Sequence, residues 1–158
     1  WLYTFNKWAL AYYIEQGVQA FIPPYEISRQ DLYRLTEYLP AQFFAPIVFA
    51  YPDLFRIRAD LSRKYDNAKF LDREDNAFRL IGKRDYSVVV PDRPFSLTDL
   101  VPNLKKQGFR RFIVDLSNAE PSKGLYRDIA RAIEQGSPLP NTTRFNWKDG
   151  FWSEERMY

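Results

Sequence analysis

The chain has 158 residues, of which 46% are hydrophobic and 18% aromatic, so it is long and apolar enough to build a core of its own. It contains no cysteine and no histidine. Their absence excludes disulfides, thiolate nucleophiles, iron–sulfur ligation, imidazole bases and most zinc sites. We therefore expect no cofactor in this chain and a reducing, cytoplasmic environment. No apolar run is long enough to cross a bilayer, so a membrane is not an expected partner.

The first predicted unit is a short strand, a capped helix and a glycine stop. Leu2–Phe5 is typical of a strand, and the Asn6 side chain is a suitable cap for a helix over Lys7–Gln16. Gly17 then ends the helix, because glycine enters the left-handed region without a Cβ penalty. Val18–Ile22 is nearly all apolar and predicts the second strand.

The second unit continues with a helix and a third strand. Ser28 followed by Asp31 resembles a capping box, which predicts a helix start at this point. The apolar stripe of that helix comprises Leu32, Leu35 and Leu39. Ile47–Ala50 then predicts the third strand.

Two further helices are predicted in the second half of the chain. Ser96 and Asp99 repeat the capping pattern, and Phe112–Leu116 predicts the fourth strand. The first helix carries the stripe Leu97, Leu100, Val101 and Leu104, and the second carries Leu125, Ile129, Ala132 and Ile133. Gly108 and Gly136 are their expected ends.

These continuous apolar strands alternate with helices, a pattern typical of a parallel sheet that helices cover. Four strand–helix units make half of a TIM-like barrel, with the strands paired in parallel in sequence order. An open parallel sheet is the alternative. The chain lacks a glycine-rich nucleotide loop, which argues against a dinucleotide-binding fold.

The predicted domain organisation has three parts. Residues 1–136 form the half-barrel α/β domain, which residues 51–92 interrupt as an insertion. Within the insertion, 77–81 and 86–90 flank a turn and predict a β-hairpin. Residues 137–158 form an irregular tail that is dense in aromatic residues, and we expect it to pack on the domain or on a partner.

A succession of short motifs carries a family resemblance over most of residues 5–136. No single motif is decisive, and the resemblance rests on their order and spacing. In order they are Asn6 with Ala9 and Leu10, Gly17, Pro24 to Glu26, Pro46 to Tyr51, Pro94 to Asp99 and Arg111 to Asp115. With this order the chain resembles the second half of the collagenase-like U-thirty-two peptidase family.

The resemblance implies a barrel-like α/β fold and a hydrolase class whose catalytic type is unknown. It also implies a longer parent protein, in keeping with a first residue, Trp1, inside a strand-like run. The missing amino-terminal half is then the expected partner, and without it the exposed sheet edges predict self-association. Other members resemble iron–sulfur proteins, but the stretch 51–76 has none of their cluster cysteines, so cluster chemistry does not carry over.

In α/β barrels the active face lies at the carboxyl ends of the strands. Glu26 and Asp115 are placed there and are candidate catalytic residues, acting as acid and base. Asn6, Tyr51, Asp53 and Ser117 also lie at predicted strand ends. The structural alternative is that Asn6 caps a helix, Glu26 pairs with an arginine and Asp115 begins a turn. The sequence argues against a serine triad, because no histidine is available as its base.

The substrate-binding candidates are three arginines of the insertion, together with Asn6 and Tyr51. Arg56, Arg58 and Arg73 have the donor geometry to hold a phosphate or carboxylate. The alternative is that they pair with the neighbouring aspartates Asp53, Asp60, Asp72 and Asp75.

Two functions therefore remain open. The chain either completes the site of a U-thirty-two-like enzyme, with an anionic substrate, or is a non-catalytic binding or assembly domain. Contact with RNA is a less favoured form of the second, because 20 acidic residues are scattered among the 23 basic ones.

Overall fold

The structure is a computed structural model that describes residues 4, 6–61, 65, 68–120 and 122–144. Within these residues it has a mixed α/β fold of four helices and seven strands in two sheets. The helices are α1 (Lys7–Glu15), α2 (Arg29–Thr36), α3 (Val101–Lys106) and α4 (Lys123–Gln135). The strands are β1 (Ile47–Ala50), β2 (Phe55–Ile57), β3 (Lys69–Leu71), β4 (Ala77–Gly82), β5 (Ser87–Pro91), β6 (Phe95–Ser96) and β7 (Ile113–Asp115).

The predicted caps of α1 and α2 are confirmed. Asn6 Oδ1 accepts a 3.0 Å hydrogen bond from the Ala9 N–H, and Ser28 Oγ accepts one of 2.9 Å from Asp31. Both bonds satisfy backbone donors that have no partner inside their helix. Gly17 follows α1 with a φ of +83°. These local signals positioned the two helices correctly.

The first sheet has three strands in the order β6–β1–β7. β1 runs parallel to β7, with Ala50 opposite Asp115, and antiparallel to β6, with Ala50 opposite Phe95. Because β1 and β7 are parallel and end together, the loops that follow them leave the sheet at the same edge. That edge carries the cleft described below.

The second sheet is built entirely from the segment 51–92. Its four strands are antiparallel in the order β2–β5–β4–β3, and the predicted hairpin is confirmed as β4 and β5. The Lys83 N–H donates to the Tyr86 carbonyl oxygen at 2.8 Å and closes the turn between them. The insertion is therefore a sheet of its own, whose hairpin turn is formed by residues 83–86.

The predicted parallel half-barrel is wrong. Of its four predicted strands, β1 and β7 are the only two that pair with each other within the described residues, and on its other side β1 pairs antiparallel with β6. Val18–Ile22 contributes one parallel bridge, between Phe21 and Phe44, instead of a strand. Pro23 and Pro24 follow this run and lack the N–H that a ladder requires, so it cannot extend.

The predicted helix cap at Ser96 is also wrong. Ser96 lies in β6, and its hydroxyl forms a buried 3.1 Å hydrogen bond with Thr98 Oγ1. The helical segment begins with a 3₁₀ turn, Thr98–Leu100, without a side-chain cap. A short strand that places Phe95 in the core takes precedence over the local capping pattern, since Phe95 is 2% exposed.

The core joins the helices to the first sheet. Leu10 from α1, Leu32 and Leu35 from α2, and Val48 from β1 are all buried in one cluster. The cluster also contains Phe44, Phe95, Leu97, Val101, Leu104 and Phe109. Burial of this apolar surface fixes the loops at the sheet edge relative to one another.

The first part of the tail packs on the domain. The Thr143 N–H donates to the Pro94 carbonyl at 2.8 Å, and Arg144 forms an ion pair with Asp99. Residues 145–158 lie outside the described part, as does the predicted first strand apart from Thr4, which is buried. In the described residues, none of the helices has the length and apolarity needed to cross a membrane.

Candidate functional site

A cleft of about 590 Å³ opens where four segments meet. These segments are the loop before α2, β1 with the stretch that leads from it into β2, the β4–β5 turn, and the end of β7 with its following loop. The lining residues are Pro24, Tyr25, Glu26, Ile47, Asp53, Arg56, Lys83, Tyr86, Asp115, Ser117 and Asn118. The cleft thus spans both sheets and carries charged side chains of both signs.

Asp115 is held by hydrogen bonds on both carboxylate oxygens. The Tyr25 hydroxyl donates to Oδ2 at 2.8 Å. The Ser117 hydroxyl and backbone N–H donate to Oδ1 at 2.6 and 2.9 Å. This arrangement fixes the carboxylate at the end of β7, where it faces the cleft.

The surroundings shift the pKa values of Tyr25 and Asp115 in opposite directions. Burial raises the pKa of the Tyr25 hydroxyl, and the hydrogen bond to the Asp115 carboxylate raises it further. Partial burial favours the protonated form of Asp115, but the hydrogen bonds from Ser117 and Tyr25 outweigh it and lower the pKa of this carboxyl. Near neutral pH, Tyr25 is therefore a neutral donor and Asp115 an ionised acceptor.

Asn118 connects three of the cleft segments through its side-chain amide. Its Nδ2 donates to the Tyr51 carbonyl at 2.9 Å and to Asp53 Oδ1 at 2.6 Å. Its Oδ1 accepts a 2.9 Å hydrogen bond from Lys83 Nζ. The loop after β7 is thereby joined to the loop after β1 and to the hairpin turn.

The cations that line the cleft are Arg56 and Lys83. The Arg56 guanidinium lies 4.4 Å from the Tyr86 ring centroid, within the range of a cation–π contact. Its Nη2 is 3.4 Å from the Tyr86 hydroxyl and 3.9 Å from Asp53 Oδ2. The ion pair with Asp53 is long and solvent-exposed, so it neutralises Arg56 only weakly.

The structure brings several sequence-predicted residues into this one cleft. Glu26, Asp53, Arg56, Asp115 and Ser117 all line it. Asp53 and Asp115 converge because they follow or end the parallel strands β1 and β7. Among the described residues, no three carboxylates are close enough together to hold a metal ion.

Other predicted site residues lie elsewhere. Asn6 caps α1, and Arg58 and Arg73 are exposed side chains that do not line the cleft. Tyr51 contributes only its carbonyl, while its ring lies 5.5 Å from the Arg79 guanidinium. Burial raises the pKa of the Tyr51 hydroxyl, against an opposing effect of Arg79. Of the three predicted anion-binding arginines, Arg56 alone lines the cleft.

Four residues with polar side chains in the cleft, Tyr25, Lys83, Tyr86 and Asn118, were not predicted from the sequence as site residues. Lys83 lies in the predicted hairpin turn and Tyr86 begins the predicted strand that follows it, but the sequence did not indicate which segments the turn would contact. In the sequence Tyr25 precedes Glu26 and Asn118 follows Ser117, so each is adjacent to a predicted site residue. Their roles depend on contacts between distant segments, which no local pattern indicates.

Comparisons with protein-family models, curated protein sequences and solved structures returned no match to this chain. The resemblance to the U-thirty-two family therefore stays a prediction.

Proposed function

We propose that this chain binds, in the cleft, a small ligand that carries an anionic group and separate hydrogen-bond donors. The observation that carries the proposal is the pair of cations at the β4–β5 turn: Lys83 lies in the turn, and Arg56 stacks on Tyr86, whose carbonyl accepts from the Lys83 N–H. Lys83 Nζ donates to the neutral amide oxygen of Asn118, and no carboxylate of the described residues lies within ion-pair distance of it. Both cations thus retain the capacity to bind an anion.

Tyr86 prepares Arg56 for this role. Stacking at 4.4 Å restricts the guanidinium before any ligand arrives, which lowers the entropy lost on binding. Because the guanidinium presents several donors in a rigid plane, it suits a phosphate or a carboxylate.

The carboxylates of the cleft determine which other groups the ligand must offer. Glu26 and Asp115 also line the cleft, and their side chains carry the charge opposite to that of Arg56 and Lys83. An ionised carboxylate only accepts hydrogen bonds. Hydroxyl or ammonium groups of a ligand are suitable partners for them. Three carboxylates in the same cleft, including Asp53, would repel a polyanion, which argues against the RNA-binding alternative.

A binding role accounts for Asp115 better than acid–base catalysis. Its pKa is lowered and that of Tyr25 is raised, so each group stays in one protonation state near neutral pH, away from the pKa that acid–base catalysis favours. The prediction that Glu26 and Asp115 act as acid and base would require peptide turnover that Glu26→Gln or Asp115→Asn abolishes. On the U-thirty-two resemblance, the cleft is one part of a site that an amino-terminal half completes.

The test uses inorganic phosphate and succinate as probes, titrated against the full chain and followed by NMR chemical shifts. We expect shifts at residues of the cleft. Arg56→Ala and Lys83→Ala should each weaken binding about 10-fold to 100-fold, the scale of a hydrogen bond between charged groups.

Arg58→Ala and Arg73→Ala are the matched controls, because both remove an exposed arginine outside the cleft. They should leave the affinity within about twofold, as expected for surface charges at a distance. Equal losses in the cleft variants and the controls would show general charge attraction and contradict the proposal. Absence of any binding by the unaltered chain would also contradict it.

A further inference from the structure

Helix α1 carries apolar side chains on both of its sides. Leu10 is 1% exposed within the core, and Tyr13 packs against the same cluster. On the opposite side, Trp8 is 74% exposed and Tyr12 is 58% exposed. A helix that is apolar all round is normally buried all round, so the outer side of α1 is typical of an interface.

The exposed apolar surface continues onto the segment after α2. Tyr38 is 57% exposed, and Lys7 Nζ lies 5.0 Å from the ring centroids of both Trp8 and Tyr38. Lys7 thus links the two rings at one end of the helix. We call Trp8, Ala11, Tyr12 and Tyr38 the α1 patch.

We propose that the α1 patch binds the α1 patch of a second copy of this chain, with the two helices antiparallel. Charge complementarity selects this partner and this orientation. Lys7 and Glu15 are the first and last residues of α1, so an antiparallel pair places Lys7 of each copy beside Glu15 of the other. A parallel pair would bring like charges together at both ends.

The middle of the helix is suited to close approach. Ala11 is the central residue of the nine in α1, and it lies on the exposed side between Trp8 and Tyr12. A two-fold axis through this position brings the two helix backbones together at small side chains. The aromatic rings on either side then supply most of the buried apolar area.

The contact is small, which sets the expected affinity. A nine-residue helix is about 13 Å long at 1.5 Å per residue. Such a contact buries less than the roughly 1,200 Å² of a stable interface. The dimer should therefore be weak, with a dissociation constant of about 10 μM or higher.

Sedimentation equilibrium of the full chain, from about 10 μM to 1 mM, tests the pairing over the expected affinity range. We expect a monomer–dimer equilibrium that the double variant Trp8→Ala with Tyr12→Ala shifts at least 10-fold toward monomer, because hot-spot aromatics are removed. Both side chains are exposed, so the monomer fold should persist, as circular dichroism would show. Tyr126→Ala is the control, since Tyr126 is 53% exposed on α4.

Charge reversal tests the orientation independently. Lys7→Glu and Glu15→Lys should each weaken the dimer, by about 3-fold to 10-fold, because each creates two like-charge contacts in the symmetric pair. The double variant should recover most of the affinity, since it inverts both pairs. A monomer throughout the concentration range, or an association that all these variants leave unchanged, would overturn the proposal; so would reversals that fail to compensate.

Discussion

The Tyr25 hydroxyl donates a 2.8 Å hydrogen bond to Asp115 across 90 residues of sequence. It ties the loop before α2 to the end of β7, and so closes one side of the cleft. The same contact links ionisation to stability, because it favours the neutral tyrosine and the ionised aspartate together.

Tyr25→Phe should lower the free energy of unfolding by about 0.5 to 1.5 kcal/mol near pH 7, the usual effect of one lost hydrogen bond. The folded-state pKa of Asp115 is depressed, so its contribution is present above the unfolded pKa and is lost as pH falls through the folded value. The difference between the variant and the unaltered chain should therefore shrink as pH falls below the ordinary aspartate pKa of 3.8. Urea unfolding near pH 7 and in this acid range measures the difference.

Tyr126→Phe is the control for this substitution, because the Tyr126 side chain is largely exposed. It should leave the free energy of unfolding unchanged within about 0.5 kcal/mol. An equal effect of the two substitutions would show that the Tyr25 hydroxyl contributes nothing specific.

Alkaline pH should destabilise the chain through the same tyrosine. Burial and the Asp115 carboxylate raise the folded-state pKa of Tyr25 above the ordinary value of 10.0. Its contribution is fully present below the unfolded pKa and is lost as pH rises through the folded value. Stability should thus fall above pH of about 10, and Tyr25→Phe should flatten this fall. Urea unfolding across that pH range measures the stability, and tyrosinate absorbance reports the ionisation. A fall in stability that Tyr25→Phe leaves unchanged would contradict the prediction.

Asn118→Ala should destabilise the chain by about 1 to 3 kcal/mol, because it leaves the Tyr51 carbonyl, Asp53 and Lys83 without their amide partner. The same variant should increase hydrogen exchange in the loop after β1. Asn103→Ala is a suitable control, since Asn103 is exposed on α3. A loss within about 0.5 kcal/mol for both variants would mean that the Asn118 contacts are dispensable.

Gly136→Ala should be strongly destabilising, by more than about 1 kcal/mol. Gly136 has a φ of +62°, and an added Cβ would lie 2.3 Å from Pro102 Cγ. Gly17→Ala separates the effect of the positive φ from that of the steric clash. Gly17 has a φ of +83°, but an added Cβ would have no neighbouring heavy atom within 4 Å. It should cost about 1 kcal/mol from backbone strain alone.

Gly124→Ala is the reference for both glycine variants. Gly124 lies inside α4, and the nearest atom to an added Cβ is Ser122 Oγ at 3.8 Å. Alanine should raise the free energy of unfolding there by up to about 1 kcal/mol, because of its higher helix propensity. Thermal or urea unfolding that ranked Gly136→Ala as the mildest of the three would contradict this account.

The local signals of the sequence predicted local structure well. The caps at Asn6 and Ser28 depend on a backbone N–H only three residues away, so the pattern contains both partners. The β4–β5 hairpin is likewise visible, because its two strands and its turn are contiguous. Part of the cleft was predictable for a related reason: Asp53 and Asp115 follow or end two apolar runs that became parallel neighbours.

Apart from the predicted parallel pairing of β1 with β7, pairing between distant segments was decided by tertiary structure alone. β6 has only two residues, too short a strand to show a period, yet it occupies the place beside β1 where the half-barrel prediction required a parallel strand. The run Val18–Ile22 had the composition of a strand but obtained a single bridge. Composition reports that a segment will be buried, whereas the direction and neighbour of a strand depend on what else fills the core.

The same distinction holds for the cleft. Residue types in the sequence determined which chemistry was open to it: carboxylates, arginines and tyrosines, without thiolate or imidazole. The fold decided which of them meet, placing Arg56 on Tyr86 and Lys83 beside Asn118 while Arg58 and Arg73 stay outside. Hydrogen bonds and cation–π contacts act over a few ångströms. Their partners are therefore chosen by packing, because burial of the core brings segments 90 residues apart into contact.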